Sequence, residues 1–570
     1  MSVKKLHALT LFFFLILSMV LTLARVGTAF NSFALLVPDL GVYASFAAAQ
    51  DNPELFVRDP FLSNEKNINS YNMLHIPVLK TLNQVFGNYG TAAAFLLPFA
   101  IFLHLSGYYL LGVSIFKNPW AGLLVSLLLS TPTVTYYDFW GLILDALPGF
   151  LYQSLIPFVL ALSIRHGRNP KWWPVILGAV GILNYVHPLS TPSWSIAVML
   201  ALWMSVPELS FWEKIRKMTL AGLVLLAVLA PFIANYVNST VLEVSNVISY
   251  EQTLSILESR FSTMTGQGLL FPITVFFARG VENSFDIVWY LVWAFGVGGI
   301  VVGLIYRRDF EGNVHLRQIA AWMVGIFFVG GFVPAVEQIV FAYLRQIPPE
   351  FEILRTLRYL VPVILLAVIY TFWLITDHLQ KKYAFSPTVA RKLHVGAGVF
   401  FLLLWGATSI VHRSDFRSAL RQSVSCWLQG QMVCDLPPRS MDLIDMLNVI
   451  RDETPVGARV FSEGQEVAIR YYALRPLVFT YKDGAPLAYT DQEQLLIWSG
   501  NSEDMDKLAF IRKFPFRRKG FVNGITEFAE RIESDYLILR EPYDRDLYYP
   551  EQLRFVYANE HYSLFEINSK

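Results

Sequence analysis

The feature that most constrains this chain is its series of long apolar stretches. A helix that crosses the hydrocarbon core of a bilayer needs about 20 predominantly apolar residues. The sequence has eleven candidate stretches, of which the fifth is short and is separated from the sixth by Pro188. They cover residues 8–29, 91–114, 120–136, 147–164, 172–188, 189–206, 218–237, 287–306, 318–343, 359–376 and 394–411. This pattern predicts a multi-spanning α-helical membrane protein with about eleven transmembrane helices.

The charged residues are unevenly distributed. Residues 435–570 hold 40 Asp, Glu, Lys and Arg residues, whereas the 434 residues before them hold 49. Overall 16% of the 570 residues are charged and 54% are hydrophobic, against roughly 25% charged residues in an average globular domain. This composition excludes a plain soluble enzyme, a disordered chain and a fibrous protein. The net charge of +1 gives no reason to expect a nucleic-acid partner.

The positions of lysine and arginine predict how the spans are oriented, because cytoplasmic loops carry the excess positive charge. Lys4 and Lys5 precede the first helix, and five short basic loops fall on the same side as the N-terminus. These loops contain Lys117; Arg165, Arg168 and Lys171; Lys214, Arg216 and Lys217; Arg307, Arg308 and Arg317; and Lys381, Lys382, Arg391 and Lys392. We expect a multi-pass protein of the cell membrane with a cytoplasmic N-terminus and a periplasmic or extracellular C-terminal tail.

The first helix has a second interpretation, a cleaved signal peptide. Its apolar core from Ala8 to Ala24 is long for a signal peptide, and no clear cleavage site follows it. These observations favour an uncleaved first span.

The expected domains are a transmembrane part at 1–412, with a large first external loop at about 30–90, and an external domain at 413–570. In the tail, five segments have the composition of strands: Arg459–Glu463, Pro476–Tyr481, Tyr536–Arg540, Leu553–Tyr557 and Ser563–Ile567. Met441–Arg451 and Gln492–Lys513 have helical periodicity. Strands that alternate with helices predict a small α/β domain with a partly parallel sheet.

The two cysteines, Cys426 and Cys434, enclose the sequence CWLQGQMVC at the start of the tail. Two cysteines supply neither a zinc site nor a disulfide scaffold. Because the predicted topology places them in an oxidising compartment, a small disulfide loop is favoured over two unpaired buried thiols.

The first external loop contains the first group of candidate functional residues. Asp39 follows the first span by about ten residues and Tyr43 lies four residues later, so the two share a face if the segment is helical. Further on, MLHIPVLKTLNQVF has the pattern of an amphipathic helix on the membrane surface. Charges near a membrane are costly and often functional.

A second group of candidates lies at the external ends of later spans. His187 ends the fifth span, where an imidazole could bind a metal or a phosphate or could simply pack against the helix end. Arg355 and Arg358 are three residues apart at the start of the tenth span, and so share one helical face. Guanidinium groups bind phosphate oxygens bidentately. The alternative for the two arginines is contact with lipid headgroups.

Taken together, these features resemble the GT-C superfamily of integral membrane glycosyltransferases. The resemblance rests on the first-loop run PDLGVYASFAAAQDNPELFVRDPF, with its acid just after the first span, on the many further spans and on the external α/β tail. Asn52 stands where a second acid often occurs. The resemblance implies transfer of a sugar, with inversion, from a polyprenyl-phosphate or polyprenyl-pyrophosphate donor. The acceptor would be a hydroxyl of a glycan, a lipid or a protein at the external face.

The resemblance also implies roles for individual residues. Asp39 matches the first-loop acid that acts as catalytic base or binds a divalent metal such as Mg²⁺ or Mn²⁺. A second carboxylate from the loop between the third and fourth spans would be Asp138, preferred over Asp145 because Tyr137 and Trp140 flank it. Asp145 shares a face with Asp138 if the segment is helical. His187, Tyr43, Asp59 and Asp145 are the further candidates for contact with substrate or metal.

A transporter is the alternative function, specifically a flippase for lipid-linked saccharides with an external domain. Such a protein is expected to show internal repeats and charges in the middle of the membrane. The sequence shows neither, and its candidate residues cluster at one face. The glycosyltransferase interpretation is therefore favoured.

Overall fold

The computed structural model describes residues 3–26, 38–69, 73–131, 133–134, 139–142, 144–238, 248–260, 286–306, 310–345, 353–383 and 438–568, with isolated positions between 389 and 431. The α-helices, in chain order, are α1 (Val3–Val26), α2 (Pro38–Asp51), α3 (Glu65–Asn69), α4 (His75–Phe86), α5 (Tyr89–Phe116), α6 (Pro119–Leu129), α7 (Pro148–His166), α8 (Trp173–Leu183), α9 (Thr191–Met204), α10 (Phe211–Tyr236), α11 (Tyr250–Arg260), α12 (Asp286–Tyr306), α13 (Phe310–Phe327), α14 (Val333–Leu344), α15 (Leu360–Tyr383), α16 (Pro438–Glu453), α17 (Ala468–Tyr471), α18 (Gly484–Thr490), α19 (Gln492–Arg512) and α20 (Arg518–Arg531). The strands are β1 (Thr133–Val134), β2 (Phe139–Trp140), β3 (Val460–Ser462), β4 (Tyr536–Leu539), β5 (Leu553–Ala558) and β6 (Ser563–Ile567).

The chain forms two compact units. The apolar unit consists of Met1–Arg25, Leu97–Phe232 and Met264–Gly430, and the α/β unit consists of Val26–Leu96, Ile233–Thr263 and Gln431–Lys570. The first loop thus belongs to the same unit as the tail. The sequence-based division at residue 412 had assigned it to the transmembrane part. Cys426 is disulfide-bonded. Cys434 lies outside the described residues, so the Cys426–Cys434 pairing stays a prediction.

Five helices in the described ranges are long and apolar enough to cross a membrane. They are Val3–Val26, Tyr89–Phe116, Phe211–Tyr236, Val314–Leu344 and Ile353–Gln380. Shorter apolar helical segments lie at Pro119–Leu129, Pro170–Leu183 and Tyr290–Ile305, the last of them within the 21-residue helix α12. The structure supports a mostly helical protein with membrane-spanning helices, but the predicted count of about eleven is not confirmed.

For some of the predicted spans the difference in count has a geometric reason. Apolar stretches in the sequence continue beyond the helices that they form: the stretch at 120–136 contains α6, which ends at Leu129 and is followed by the short strand β1. An 11-residue helix such as α6 is about 16 Å long, roughly half of the hydrocarbon thickness. The last predicted span, 394–411, lies almost wholly outside the described residues.

Close helix packing forms the core of the apolar unit. Helices α9 and α13 approach each other at Gly325, where a Cβ atom would lie 2.4 Å from the Cα of Ala197. Small residues allow helix backbones to come this close, and in an apolar environment this packing is a main source of helix association. The contact holds α9 in place and, with it, the turn that precedes α9.

The α/β unit contains a four-stranded sheet of order β3-β4-β6-β5. Strands β3 and β4 are parallel, and the other pairs are antiparallel. The rings of Phe461 on β3 and Phe528 on α20 lie 5.1 Å apart, which joins the sheet to a helix that the sequence pattern did not predict. The partly parallel sheet is confirmed, but the predicted strand at Pro476–Tyr481 is reduced to a single bridge between Val460 and Leu477.

The first loop packs directly on the tail within this unit. Helix α2 contacts α17, where a Cβ atom on Gly41 would lie 3.1 Å from the ring of Tyr471. Arg58 donates a hydrogen bond to Asp535 at 3.0 Å, and Asn64 donates one to Asp491 at 3.1 Å. Segments more than 400 residues apart in the sequence therefore share one folded body.

A buried ion-pair network lies at the centre of these contacts. Arg470 donates to both oxygens of Asp59, at 2.8 and 3.0 Å, and to both oxygens of Asp483, at 2.7 and 2.8 Å. The side chain of Arg470 is 2% exposed and that of Asp59 is 0% exposed. Burial opposes the charge on Arg470, but Asp483 and Asp59 outweigh burial and hold the pKa of Arg470 above its ordinary value. The network joins the first loop to two segments of the tail.

Replacing Arg470 with alanine should destabilise the protein by about 3–5 kcal/mol, because two carboxylates would remain buried without their partner. The matched control is Arg554→Ala. Arg554 is 67% exposed and pairs with Glu566 in the same unit, and an exposed pair contributes about 1 kcal/mol at most. Thermal unfolding of the purified full chain measures both variants. Equal effects of the two substitutions would contradict the central role of Arg470.

Candidate functional site

The apolar unit brings His187 to the pair Arg355 and Arg358, which the sequence analysis had singled out as separate candidates. The half-buried ring of His187 lies within electrostatic range of Arg358 and Arg355. Arg358 is only 6% exposed, and its Nη2 donates to the hydroxyl of Tyr359 at 3.3 Å. We call Arg355, Arg358 and His187 the cationic cluster. Its positive charge comes from the two guanidinium groups, of which that of Arg358 is buried.

The two arginines are held by a 3₁₀ helix, Ile353–Tyr359, that precedes α15. In a 3₁₀ helix residues three apart are directly in line, so Arg355 and Arg358 share a face, as expected. Seven residues is long for this type of helix, which rarely exceeds three or four. A side-chain hydrogen bond stabilises it: Ser193 on α9 donates to Thr356 at 2.7 Å.

His187 is positioned by the turn between α8 and α9. Its Nδ1 lies 2.7 Å from Ser190 Oγ, and Ser190 is in turn hydrogen-bonded to the hydroxyl of Tyr359. A chain of polar contacts therefore links His187 to the residue next to Arg358. Sequence reasoning missed Ser190 and Tyr359, although one lies three residues after His187 and the other directly follows Arg358.

The N-terminus of α7 adds to the positive potential of the cluster. A Cβ atom on Gly149, in the first turn of α7, would lie 3.4 Å from Arg358 Nη2 and 3.6 Å from His187 Nε2. The first backbone N–H groups of a helix have no partner within the helix, and its dipole favours anions at this end. Together with a guanidinium group, this arrangement suits a phosphate.

Aromatic side chains surround Tyr359. Its ring centroid lies 5.5 Å from that of Trp194, 5.8 Å from that of Trp140 and 6.2 Å from that of Tyr152. Arg358 also lies over the ring of Tyr359, 5.1 Å from its centroid. These contacts fix the wall of the cluster in one arrangement.

The loop after α6 carries the two candidate acids Asp138 and Asp145. Asp138 lies outside the described residues. Asp145 forms an ion pair with Arg25 at 3.5 Å. The condition under which the two acids would share a face, a helical segment, is not met, because Phe139–Trp140 is a strand and α7 begins only at Pro148.

Asp39 and Tyr43 lie on α2 in the α/β unit, so the segment is helical, which is the condition for the two residues to share a face. The side chain of Asp39 is 60% exposed and forms an ion pair with Lys482 of the tail. Tyr43 makes an edge-on contact with the ring of His75, 5.6 Å between centroids. Asp39 is accessible to a substrate and is oriented by a lysine.

Asp59 has a different environment from Asp39. Besides Arg470, its carboxylate accepts hydrogen bonds from the backbone N–H groups of Phe61, Leu62 and Leu477 at 2.9–3.0 Å. It has no exposed surface. These contacts give Asp59 a structural role rather than the contact with substrate or metal that the sequence suggested.

One group in the described ranges has the composition of a metal site. Ligand atoms of Asp442, Glu560 and His561 lie within 4.8 Å of one another in the α/β unit. The His561 ring is already hydrogen-bonded to Asp442 at 2.7 Å, which satisfies both groups without an ion. Among the described residues, Asp39, His187 and Asp145 do not belong to such a group.

Comparison with known proteins adds no family assignment, since no protein-family model matches the chain and no curated protein is significantly similar to it.

A buried histidine near Asp39 predicts sensitivity to acid. His75 is 3% exposed, and burial lowers its pKa to about 3 from an ordinary value of 6.5. In the unfolded chain His75 binds a proton below about pH 6.5, whereas in the folded chain it stays neutral down to about pH 3. Stability should therefore fall as pH decreases through this window, by a few kcal/mol at most.

His75→Phe keeps an aromatic ring against Tyr43 and removes the titrating group. The slope of unfolding free energy against pH between about 6.5 and 3 should be smaller in this variant, as chemical denaturation of the purified protein at several pH values would show. An unchanged slope would mean that His75 does not contribute to the acid sensitivity.

Proposed function

We propose that this protein is a membrane glycosyltransferase that takes a sugar from a polyprenyl-phosphate or polyprenyl-pyrophosphate donor and transfers it to an acceptor hydroxyl. The observation that carries the proposal is the cationic cluster beside the N-terminus of α7. A lipid phosphate is the anion that this site fits best, because its chain is apolar like the surrounding unit.

The cost of burying charge supports a ligand-binding role for the cluster. A charged side chain in an apolar environment is costly and is usually retained for function. Arg358, at 6% exposure, is held between an aromatic ring and a helix N-terminus. Two oxygens of a phosphate could accept from its guanidinium while His187 donates to a third. Charge on the leaving phosphate would be stabilised as it develops.

Asp39 is the proposed general base. It would accept the proton of the acceptor hydroxyl, whose oxygen attacks the anomeric carbon and displaces the lipid phosphate with inversion. Its exposed carboxylate is open to an acceptor, and Lys482 keeps it oriented. A positioned base contributes roughly 10²–10⁴-fold to the rate. A divalent ion such as Mg²⁺ or Mn²⁺ held by Asp39 is the alternative use of the same carboxylate.

The proposed topology is that of the hydropathy pattern: about eleven spans, a cytoplasmic N-terminus and an α/β unit on the periplasmic or extracellular side. The five long apolar helices are compatible with this arrangement. Transfer would then take place at the external face of the membrane, with a glycan, a lipid or a protein as acceptor.

Arg358→Ala should weaken donor binding at least about tenfold, because hydrogen bonds to charged groups contribute about 1.5–3 kcal/mol. Arg358→Lys should have an intermediate effect, since lysine keeps the charge but loses the bidentate geometry. Binding of a radiolabelled polyprenyl-phosphate sugar to the purified variants measures both.

The control for charge alone is Arg168→Ala, which removes an exposed arginine of the same unit that lies 3.9 Å from Glu208. It should leave donor binding unchanged. Equal donor affinity in the wild type and Arg358→Ala would remove the phosphate site from this cluster.

Asp39→Asn should lower the rate of transfer at least about a hundredfold while leaving donor affinity unchanged, because asparagine has the same shape but cannot accept the proton. Rescue by added Mg²⁺ or Mn²⁺ would indicate a metal ligand rather than a base. The measurement is a transfer assay with saturating lipid donor.

Two controls separate catalysis from structure. Lys482→Ala breaks the same ion pair but keeps the carboxylate, so it should cost much less activity than Asp39→Asn. Glu54→Gln removes an exposed acid of the same loop and should be neutral. Equal losses in Asp39→Asn and Lys482→Ala would make Asp39 structural, and full activity in Asp39→Asn would favour the transporter.

A further inference from the structure

The α/β unit contains a cavity that the proposed reaction does not use. Its volume is about 430 Å³, within the range of small-molecule sites. Phe61 of the first loop and Phe479, Ile497 and Trp498 of the tail supply apolar walls. The amide side chains of Gln494 and Asn501 also line it. An apolar cavity with a few polar groups is the usual form of a small-ligand site.

The polar and aromatic groups of this cavity come from one face of α19. Gln494, Trp498 and Asn501 are spaced four and three residues apart, so they lie one above the other. Trp498 is fixed in place, since its Nε1 donates to the carbonyl of Thr480 at 2.9 Å. A Cβ atom on Gly484 would come within 2.3 Å of the indole ring, so this wall requires glycine.

The charged residues that line the cavity are neutralised by protein partners. Three ion pairs account for them: Arg459–Glu533 at 2.6 Å, Arg531–Asp504 at 2.7 Å and Asp483–Arg470 at 2.7 Å. An anionic or cationic ligand would have to compete with these pairs. The cavity therefore favours a ligand without charge.

The two amides supply the remaining hydrogen-bonding capacity. Both are half-buried, and within the described part of the chain no protein group is hydrogen-bonded to either side-chain amide. A side-chain amide offers two donor hydrogens and an acceptor oxygen. Sugar hydroxyls both donate and accept, whereas a purely apolar ligand would leave the amides unsatisfied at a cost.

We infer that this cavity binds the ring of a neutral sugar, with its apolar face against Trp498 and Ile497 and its hydroxyls hydrogen-bonded to Gln494 and Asn501. The ring of a hexose has apolar C–H faces that suit an aromatic surface. Binding here needs neither the lipid donor nor Asp39, so the inference stands or fails independently of the proposed function.

The test is saturation-transfer NMR on the purified full chain with the methyl glycosides of glucose, galactose, mannose and N-acetylglucosamine. The protein must be kept in a detergent without a sugar headgroup, because a maltoside would compete for the site. At least one glycoside should bind saturably to the wild type. The double variant Gln494→Ala, Asn501→Ala should bind it at least about tenfold more weakly, because it loses several hydrogen bonds.

A second variant guards against rearrangement of the emptied site. Asn501→Trp fills the cavity and should abolish binding, whereas Glu503→Ala, an exposed change on the same helix, should leave it intact. Thermal unfolding confirms that each variant is folded. Arg358→Ala and Asp39→Asn should bind the glycoside like the wild type, which separates this result from the fate of the transferase proposal.

Three results would overturn the inference. The first is no saturable binding of any of the four glycosides to the wild type. The second is unchanged binding in the double variant or in Asn501→Trp. The third is tighter binding of glucose 6-phosphate than of methyl glucoside, which would show that the cavity selects an anion.

Discussion

The buried contact between Arg470 and two carboxylates is the interaction on which the α/β unit depends. A guanidinium at 2% exposure is stable only if its hydrogen bonds and its charge are satisfied. Asp59 and Asp483 provide both, and backbone N–H groups occupy the rest of Asp59. Because Asp59 belongs to the first loop, this requirement forces that loop to fold with the tail. The position of α2, and hence of Asp39, follows from it.

The buried arginine of the apolar unit, Arg358, has surroundings that differ from those of Arg470. Arg358 contacts a tyrosine hydroxyl and ring and lies beside the N-terminus of α7. A guanidinium that meets carboxylates stabilises a fold. A helix N-terminus beside a guanidinium group favours an anion, and this geometry is the basis of the binding role proposed for Arg358. This contrast separates the structural role of Arg470 from the proposed binding role of Arg358.

Much of this could be predicted from residue patterns. Apolar runs predicted helices at the positions of α1, α5, α10 and α15, and the periodicity of MLHIPVLKTLNQVF in the first loop predicted α4. The spacing of Arg355 and Arg358 correctly predicted that they lie on one face of a helix. Asp138 and Asp145 do not share a helical face, because α7 begins only at Pro148. Asp59 is not open to a substrate, because it is buried against Arg470, which is 411 residues away in the sequence.

The sequence by itself determined the apolar helices, the partly parallel sheet and the types of residue at the candidate sites, because hydropathy and periodicity act over a few turns of chain. Only the tertiary structure decided that residues 26–96 fold with residues 431–570. The same holds for the approach of His187 to Arg358, and for the alignment of Gln494, Trp498 and Asn501 along a cavity that Phe61 helps to enclose. Such contacts depend on which charged side chains meet in the folded chain and on where a glycine allows two segments to approach closely. Neither can be predicted from the sequence next to any one of these residues.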